Sequence, residues 1–170
     1  RWRVTRCPIN LCFHVVEEYI VLRSVHHFNV IVADMAKTKH FYHDILGLEI
    51  ALETVIEDAE FSRGVDLVET KVLATFFQLP DSQTMIEAFE YVSPSDGKPI
   101  PPDKKVNDAG WTHLCFQVDD IDATCDWLSK QGVKFSTTPV TIADDHPHVP
   151  GVRFCYFRGP DGEVLELLQG

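Results

Sequence analysis

Two histidines and two glutamates stand in this chain at offsets that repeat. His27 opens a β-rich run seven residues before Asp34, and His113 opens another seven residues before Asp120. Glu87 follows His27 by 60 residues, and Glu166 follows His113 by 53. Imidazole nitrogens and carboxylate oxygens in such a set suit a divalent transition metal. Four ligands in a six-coordinate sphere leave two positions open, enough for two oxygens of one substrate. A metal so bound acts as a Lewis acid and stabilises an enediolate or similar oxyanion.

Strand parity decides whether these side chains can meet. Alternate residues of a strand point to opposite faces. Phe28, Val30 and Val32 make an apolar face that belongs under a helix, so His27, Asn29 and Ile31 face the other way. Leu114, Phe116 and Val118 repeat that face, leaving His113, Cys115 and Gln117 opposite. Near the C-terminus Leu165 and Leu167 belong to the core and Glu166 points away. Glu87, Phe89 and Tyr91 share a face opposite Ile86, Ala88 and Glu90. The cleft is thus expected to present Asn29, Ile31, Phe89, Tyr91, Cys115 and Gln117, a mixed surface suited to a small, partly apolar molecule.

The elements behind that parity also repeat. VHHFNVIVADMAKTKHFYHDILGLEI and WTHLCFQVDDIDATCDWLSKQGVKF each pass from a β-rich segment through an Asp into a helical pattern. Gly47 and Gly132 end these helices, where glycine readily takes positive φ. Residues 49–54, 71–79 and 84–92 predict three strands after the first helix, and 133–136, 152–158 and 163–168 three after the second. Turn signals at Pro80-Asp81-Ser82-Gln83 and Gly159-Pro160-Asp161-Gly162 separate the later strands. The result is an α+β chain of two paired βαβββ modules, over 25–92 and 110–170, forming a curved mixed sheet around a metal cleft. A Pro-rich linker over 93–109 joins them. Residues 1–24 form an N-terminal extension with no assigned role. The loop 56–68, rich in Asp and Glu, and the loop 141–151, with His146 and His148, are expected to carry specificity. His40 and His43 are expected to be inert on the exposed face of the first helix.

Length and charge narrow the partners. The chain has 170 residues, 45% of them hydrophobic, enough for one packed domain. No apolar run is long enough to span a bilayer. Fifteen Lys and Arg against 26 Asp and Glu give a net charge of −11, which argues against nucleic acid and anionic membrane as partners. Local fields still leave room for an anionic small substrate. The odd set Cys7, Cys12, Cys115, Cys125 and Cys155, without a CxxC pair, predicts free thiols in a reducing, cytoplasmic compartment.

The segments HHFNVIVADMAKTKHFYHDILGLEI, MIEAFEYVSP, GWTHLCFQVDDID and VRFCYFRGPDGEVLELL together resemble the vicinal oxygen chelate superfamily over residues 25–169. That superfamily includes glyoxalase I, methylmalonyl-CoA epimerase, extradiol dioxygenases and fosfomycin-resistance proteins. The resemblance implies one divalent metal (Zn, Ni, Co, Mn or Fe(II)) on His27, Glu87, His113 and Glu166, and a homodimer. It further implies proton transfer by Glu166 or Glu87, with Glu69 matching an epimerase base. Where bacterial glyoxalase I carries an Arg and an Asn for glutathione, this chain has Ile31 and Tyr91, against a glutathione site. Tyr156 falls where extradiol dioxygenases keep a tyrosine, but Gly159 replaces an expected acid. The expected activity is a metal-dependent lyase or isomerase of the glyoxalase or epimerase type acting on a chelated small oxygenated substrate. Asn29, Phe89, Tyr91, Gln117 and Tyr156 are the expected substrate contacts. An Fe(II) extradiol-type dioxygenase is the alternative reading, and a drug-binding resistance protein a third.

Overall fold

The computed structural model describes residues 24–105, 107–110 and 113–170. Of the expected N-terminal extension only Ser24 falls among them. Cys7, Cys12 and Trp111, at the head of the second repeat, lie outside them. The first module is β1 (His27–Ile31), α1 (Met35–Lys39) running into a π-helical segment (His40–Ile45), β2 (Glu49–Ile56), α2 (Ala59–Gly64), β3 (Lys71–Gln78) and β4 (Met85–Ser93). The second is β5 (His113–Gln117), α3 (Ile121–Lys130), β6 (Val140–Thr141), β7 (Arg153–Arg158) and β8 (Val164–Gln169). Each builds one four-stranded mixed sheet, in the orders β1-β4-β3-β2 and β5-β8-β7-β6. The α+β architecture of two paired modules expected from the repeat is present.

Both helices start as the sequence implies. Asp34 and Asp120 are extended N-caps whose carboxylates accept from the Lys37 and Ala123 backbone N–H groups at 3.1 and 2.9 Å. Gly47 and Gly132 take positive φ of 75° and 87° beyond the helix ends. The first helix widens after one turn, with the Leu46 N–H donating to the Phe41 carbonyl at 2.9 Å, five residues back. That widening lets the adjacent Phe41 and Tyr42 both pack inward, edge to face at 5.1 Å.

Three elements differ from the sequence reading. The strand expected over 133–136 is reduced to a single bridge, Phe135 to Phe157, and pairing resumes only at Val140. Pro139, with no N–H to donate, interrupts the run between them. The acidic loop 56–68 contains α2, capped by Asp58, whose carboxylate accepts from the Phe61 N–H. Phe61 lies edge to face on Phe89 at 5.9 Å, and the Ser62 and Thr70 hydroxyls meet at 2.6 Å to close the loop. Trp127, which matches Phe41 in the repeat, is exposed where Phe41 is buried, and its indole N–H reaches the Ile45 carbonyl at 3.4 Å.

The two modules share one core. Phe77, Ile86 and Tyr42 from the first pack in the same cluster as Ile121, Leu128, Phe157 and Leu165 from the second. Side chains of this kind, fully withdrawn from water, stabilise by about 1.5–3 kcal/mol each. Polar bonds align the modules: the Tyr42 hydroxyl donates to Glu163 Oε1 at 2.8 Å, and the Ala33 N–H to Asp161 Oδ1 at 3.1 Å.

Glu163 makes this junction pH-sensitive. Burial raises its carboxyl above the ordinary 4.5, against the lowering by the Tyr42 hydroxyl. The folded chain therefore holds this proton more tightly than the unfolded chain does. The corresponding stability is present below the ordinary value and is lost as pH rises through the raised one. Glu163→Gln is expected to remove that loss, seen as a flatter dependence of Tm on pH above about 4.5. Tyr42→Phe, which strips Glu163 Oε1 of its donor, is expected to cost about 1–3 kcal/mol in denaturant unfolding.

Candidate metal centre and cavity

The register of the parallel strand pairs brings each histidine to a glutamate. In the first sheet Asn29 stands opposite Glu87 and His27 opposite Met85. In the second Cys115 stands opposite Glu166 and His113 opposite Val164. Each histidine is thus offset by two residues from its glutamate on the neighbouring strand, and a two-residue offset keeps both on one face. His27 Nε2 lies 3.3 Å from Glu87 Oε2, and His113 Nε2 lies 3.0 Å from Glu166 Oε2. The glutamates are buried, each 8% exposed, and the histidine side chains are more open at 39% and 34%.

These distances test the donor set. Two donors bound at about 2.1 Å on neighbouring octahedral positions stand about 3 Å apart. Each His–Glu pair has that spacing and fits half of a four-ligand site. Among the described residues no three His, Cys, Asp or Glu side chains are placed to hold one ion, and the four expected ligands stand as two pairs, one per module. The pairs are not isolated from each other. His27 and His113 line one cavity of about 400 Å³, together with Asn29, Tyr42 and Glu163.

The surroundings of the two pairs differ. Asn29 Nδ2 donates to Glu87 Oε2 at 2.8 Å, and a hydrogen bond of 2.9 Å joins the Nδ1 atoms of His26 and His27. The second contact holds one face of the His27 ring and leaves Nε2 toward Glu87. Around Glu166 stand Cys115 and Tyr156 instead. Burial, followed by the Glu166 charge, pushes the Cys115 thiol up to about 12. The same two causes raise the Tyr156 phenol. Both therefore stay protonated at neutral pH beside a carboxylate. The Tyr156 ring also meets the His113 ring edge to face at 5.3 Å.

The remaining expected site residues are spread more widely. Phe89 is buried in a satellite core with Val72 and Ala74, and Tyr91 packs against the same cluster. Gln117 is exposed at the end of β5. Glu69 is exposed just before β3, with a positive φ of 52°, and is not among the cavity-lining residues. His40 is bonded to Asp44 and His43 to the Leu48 carbonyl, both away from the cavity lining. Cys115, Cys125 and Cys155 are free thiols. Among the described residues no helix is long and apolar enough to cross a membrane.

Sequence reasoning missed several residues that line the cavity. Lys104 and Lys105 come from the linker, Arg158 from the end of β7, and Glu163 from the turn before β8. The Lys-Lys pair between Pro102 and Asp108 was the one readable sign.

Comparisons with known proteins agree with this architecture. The family model described as Glyoxalase/Bleomycin resistance protein/Dioxygenase superfamily matches residues 24–167. A 2-epi-5-epi-valiolone epimerase from Actinomyces sp. is 32% identical over 149 residues, covering 85% of this chain and 78% of that protein. The uncharacterized protein YaeR of Escherichia coli K12 is 34% identical over 150 residues, covering 87% and 97%. Among solved structures, a glyoxalase family protein from Bacillus cereus superposes with a TM-score of 0.74 at 23% identity, covering 91% of this chain and 98% of that one. The fosfomycin resistance protein FosX of Listeria monocytogenes, solved with Mn(II) and sulfate, superposes with a TM-score of 0.56 at 20% identity, covering 88% and 94%.

Proposed function

The chain belongs to the Glyoxalase/Bleomycin resistance protein/Dioxygenase superfamily, and from that premise we propose that it is a divalent-metal-dependent lyase or isomerase that moves a proton on a small oxygenated substrate. The observation that carries this reading is the repeated His–Glu pair, 3.3 Å in one module and 3.0 Å in the other, with both histidines lining one cavity. His27, Glu87, His113 and Glu166 would hold the ion. When bound, it supplies Lewis acidity that makes a C–H beside a chelated oxygen easier to deprotonate.

The chain's own groups then divide the work. Asn29 donates to Glu87 and fixes that carboxylate in place. Glu166, beside the neutral Cys115 and Tyr156, is the general base that takes the proton and returns it. Glu69, exposed on the loop before β3, is left without a role in this step. The epimerase relative at 32% identity supports a proton-transfer outcome over oxygen insertion. A carboxylate at position 87, paired with His27, supports a redox-neutral four-ligand set in the same direction.

A homodimer completes the proposal. Ile31 and Leu52, 54% and 52% exposed, lie on the same face of the first sheet as His27 and Glu87, and exposed Val140 lies on the Glu166 face of the second. A second copy covering these residues would remove apolar surface from water.

Two outcomes check the site. His113→Ala is expected to weaken binding of Zn, Ni, Co or Mn by about 100-fold or more, and His26→Ala by about 10-fold, in calorimetric titration. Unchanged affinity in His113→Ala would sink the metal assignment. For the reaction, solvent deuterium is expected to enter the substrate carbon, and Glu166→Gln to slow that exchange by about 10²–10⁴-fold. Oxygen uptake with catechols by the iron-loaded protein would instead favour ring cleavage.

A further inference from the structure

The chain carries a net charge of −11, yet the wall of the His27–His113 cavity is cationic. Lys104, Lys105 and Arg158 line it, against one carboxylate in the lining, Glu163, with Glu87 and Glu166 set beside the lining histidines. Glu163 is already engaged, accepting from the Tyr42 hydroxyl at 2.8 Å and from the Asp161 N–H at 3.0 Å. Among the described residues, acidic partners lie within ion-pair distance of Lys37, Lys39, Lys71 and Arg153, but of none of the three cavity cations. Asp103 and Asp108 flank the two lysines in sequence and do not line the cavity.

The backbone that carries the two lysines, and the Arg158 guanidinium itself, are held by hydrogen bonds. The Lys104 N–H donates to the Pro101 carbonyl at 3.0 Å, and the Lys105 N–H to Asp108 Oδ2 at 2.8 Å, so two successive turns fix this part of the linker. Arg158 donates from one terminal nitrogen to the Gly162 carbonyl at 2.7 Å. A guanidinium has five N–H donors, so most remain for a ligand. Unpaired cations on a concave, partly apolar wall concentrate field there and attract an anion.

We infer that Lys104, Lys105 and Arg158 form an oxyanion subsite, and that the substrate carries a carboxylate or phosphate group beside the oxygens presented to the histidines. This rests on the reading of the cavity as the active site. The linker, in this account, sets specificity as well as joining the modules.

Three hydroxy-ketone probes separate the possibilities: neutral dihydroxyacetone, dihydroxyacetone phosphate and hydroxypyruvate. Each is titrated calorimetrically into the full chain, once metal-loaded and once after chelation. At least one charged probe is expected to bind about tenfold or more tightly than the neutral one, with an advantage that falls as salt rises. Whichever anion is preferred identifies the group as phosphate or carboxylate. Lys104→Gln/Lys105→Gln and, separately, Arg158→Gln are expected to bring the charged probe toward the neutral affinity, and Lys130→Gln on the far end of α3 to leave the difference intact. Equal affinity for all three probes, no measurable binding of either anion at millimolar concentration, or a charge preference that survives both cavity variants would overturn the inference. A charge preference that persists in a protein taking up no metal would keep the subsite and sink only the metal reading.

Discussion

The parallel pairing of β1 with β4 and of β5 with β8 is the constraint on which the rest of the site depends. A histidine lies two register steps from a glutamate on the neighbouring strand, so both project from one face. A slip of one residue in either pair would send one partner into the helix-covered core and its apolar neighbour onto the face that carries the histidine and glutamate. The register is held from the other face. Phe28 and Val30 in β1, and Leu114 and Phe116 in β5, are the inward residues of alternating runs, and Ile86, Leu165 and Leu167 are the buried residues they pair beside. Hydrophobic burial under the helices therefore fixes chemistry on the opposite surface.

That coupling explains how much was legible in the sequence. Strand parity and helix caps are local, so His27, His113, Glu87 and Glu166 could be placed on their faces from alternation alone, and Asp34 and Asp120 at the helix starts. What was not legible depends on contacts between segments far apart. The α2 turn exists because Phe61 finds Phe89 and Ser62 finds Thr70. Phe89 consequently sits in a satellite core, though its parity was read correctly. The run before Val140 has strand composition but meets β7 at only one bridge. Trp127 and Phe41 occupy matching places in the repeat and opposite environments, Phe41 in the core and Trp127 exposed with its indole N–H on the Ile45 carbonyl.

The cavity wall was the least readable part. Lys104 and Lys105 belong to a linker with no periodicity, and Arg158 and Glu163 flank a hairpin turn whose sequence signals only the turn. Their convergence follows from the packing of two modules, expressed in the Tyr42–Glu163 bond and in a core common to both sheets. Net charge is equally uninformative at this scale. It averages over the whole surface, whereas a ligand entering the cavity meets the few groups that line it.

Duplication gives the two modules the same backbone, and the difference in chemistry comes from single residues placed on it. The position facing the glutamate across the parallel pair is Asn29 in one module and Cys115 in the other. An amide there donates a hydrogen bond of 2.8 Å that holds the orientation of Glu87. A thiol kept protonated by burial and by the adjacent charge is a weak donor, so the cross-strand neighbour of Glu166 contributes less than Asn29 does to Glu87. Tyr156 contributes a phenol on that side, again beside the second glutamate. In the function proposed above one carboxylate anchors and the other acts as base, and the differing neighbours are what distinguish the two halves. The neighbours differ while the parallel pairing that brings each histidine to its glutamate is the same in both modules.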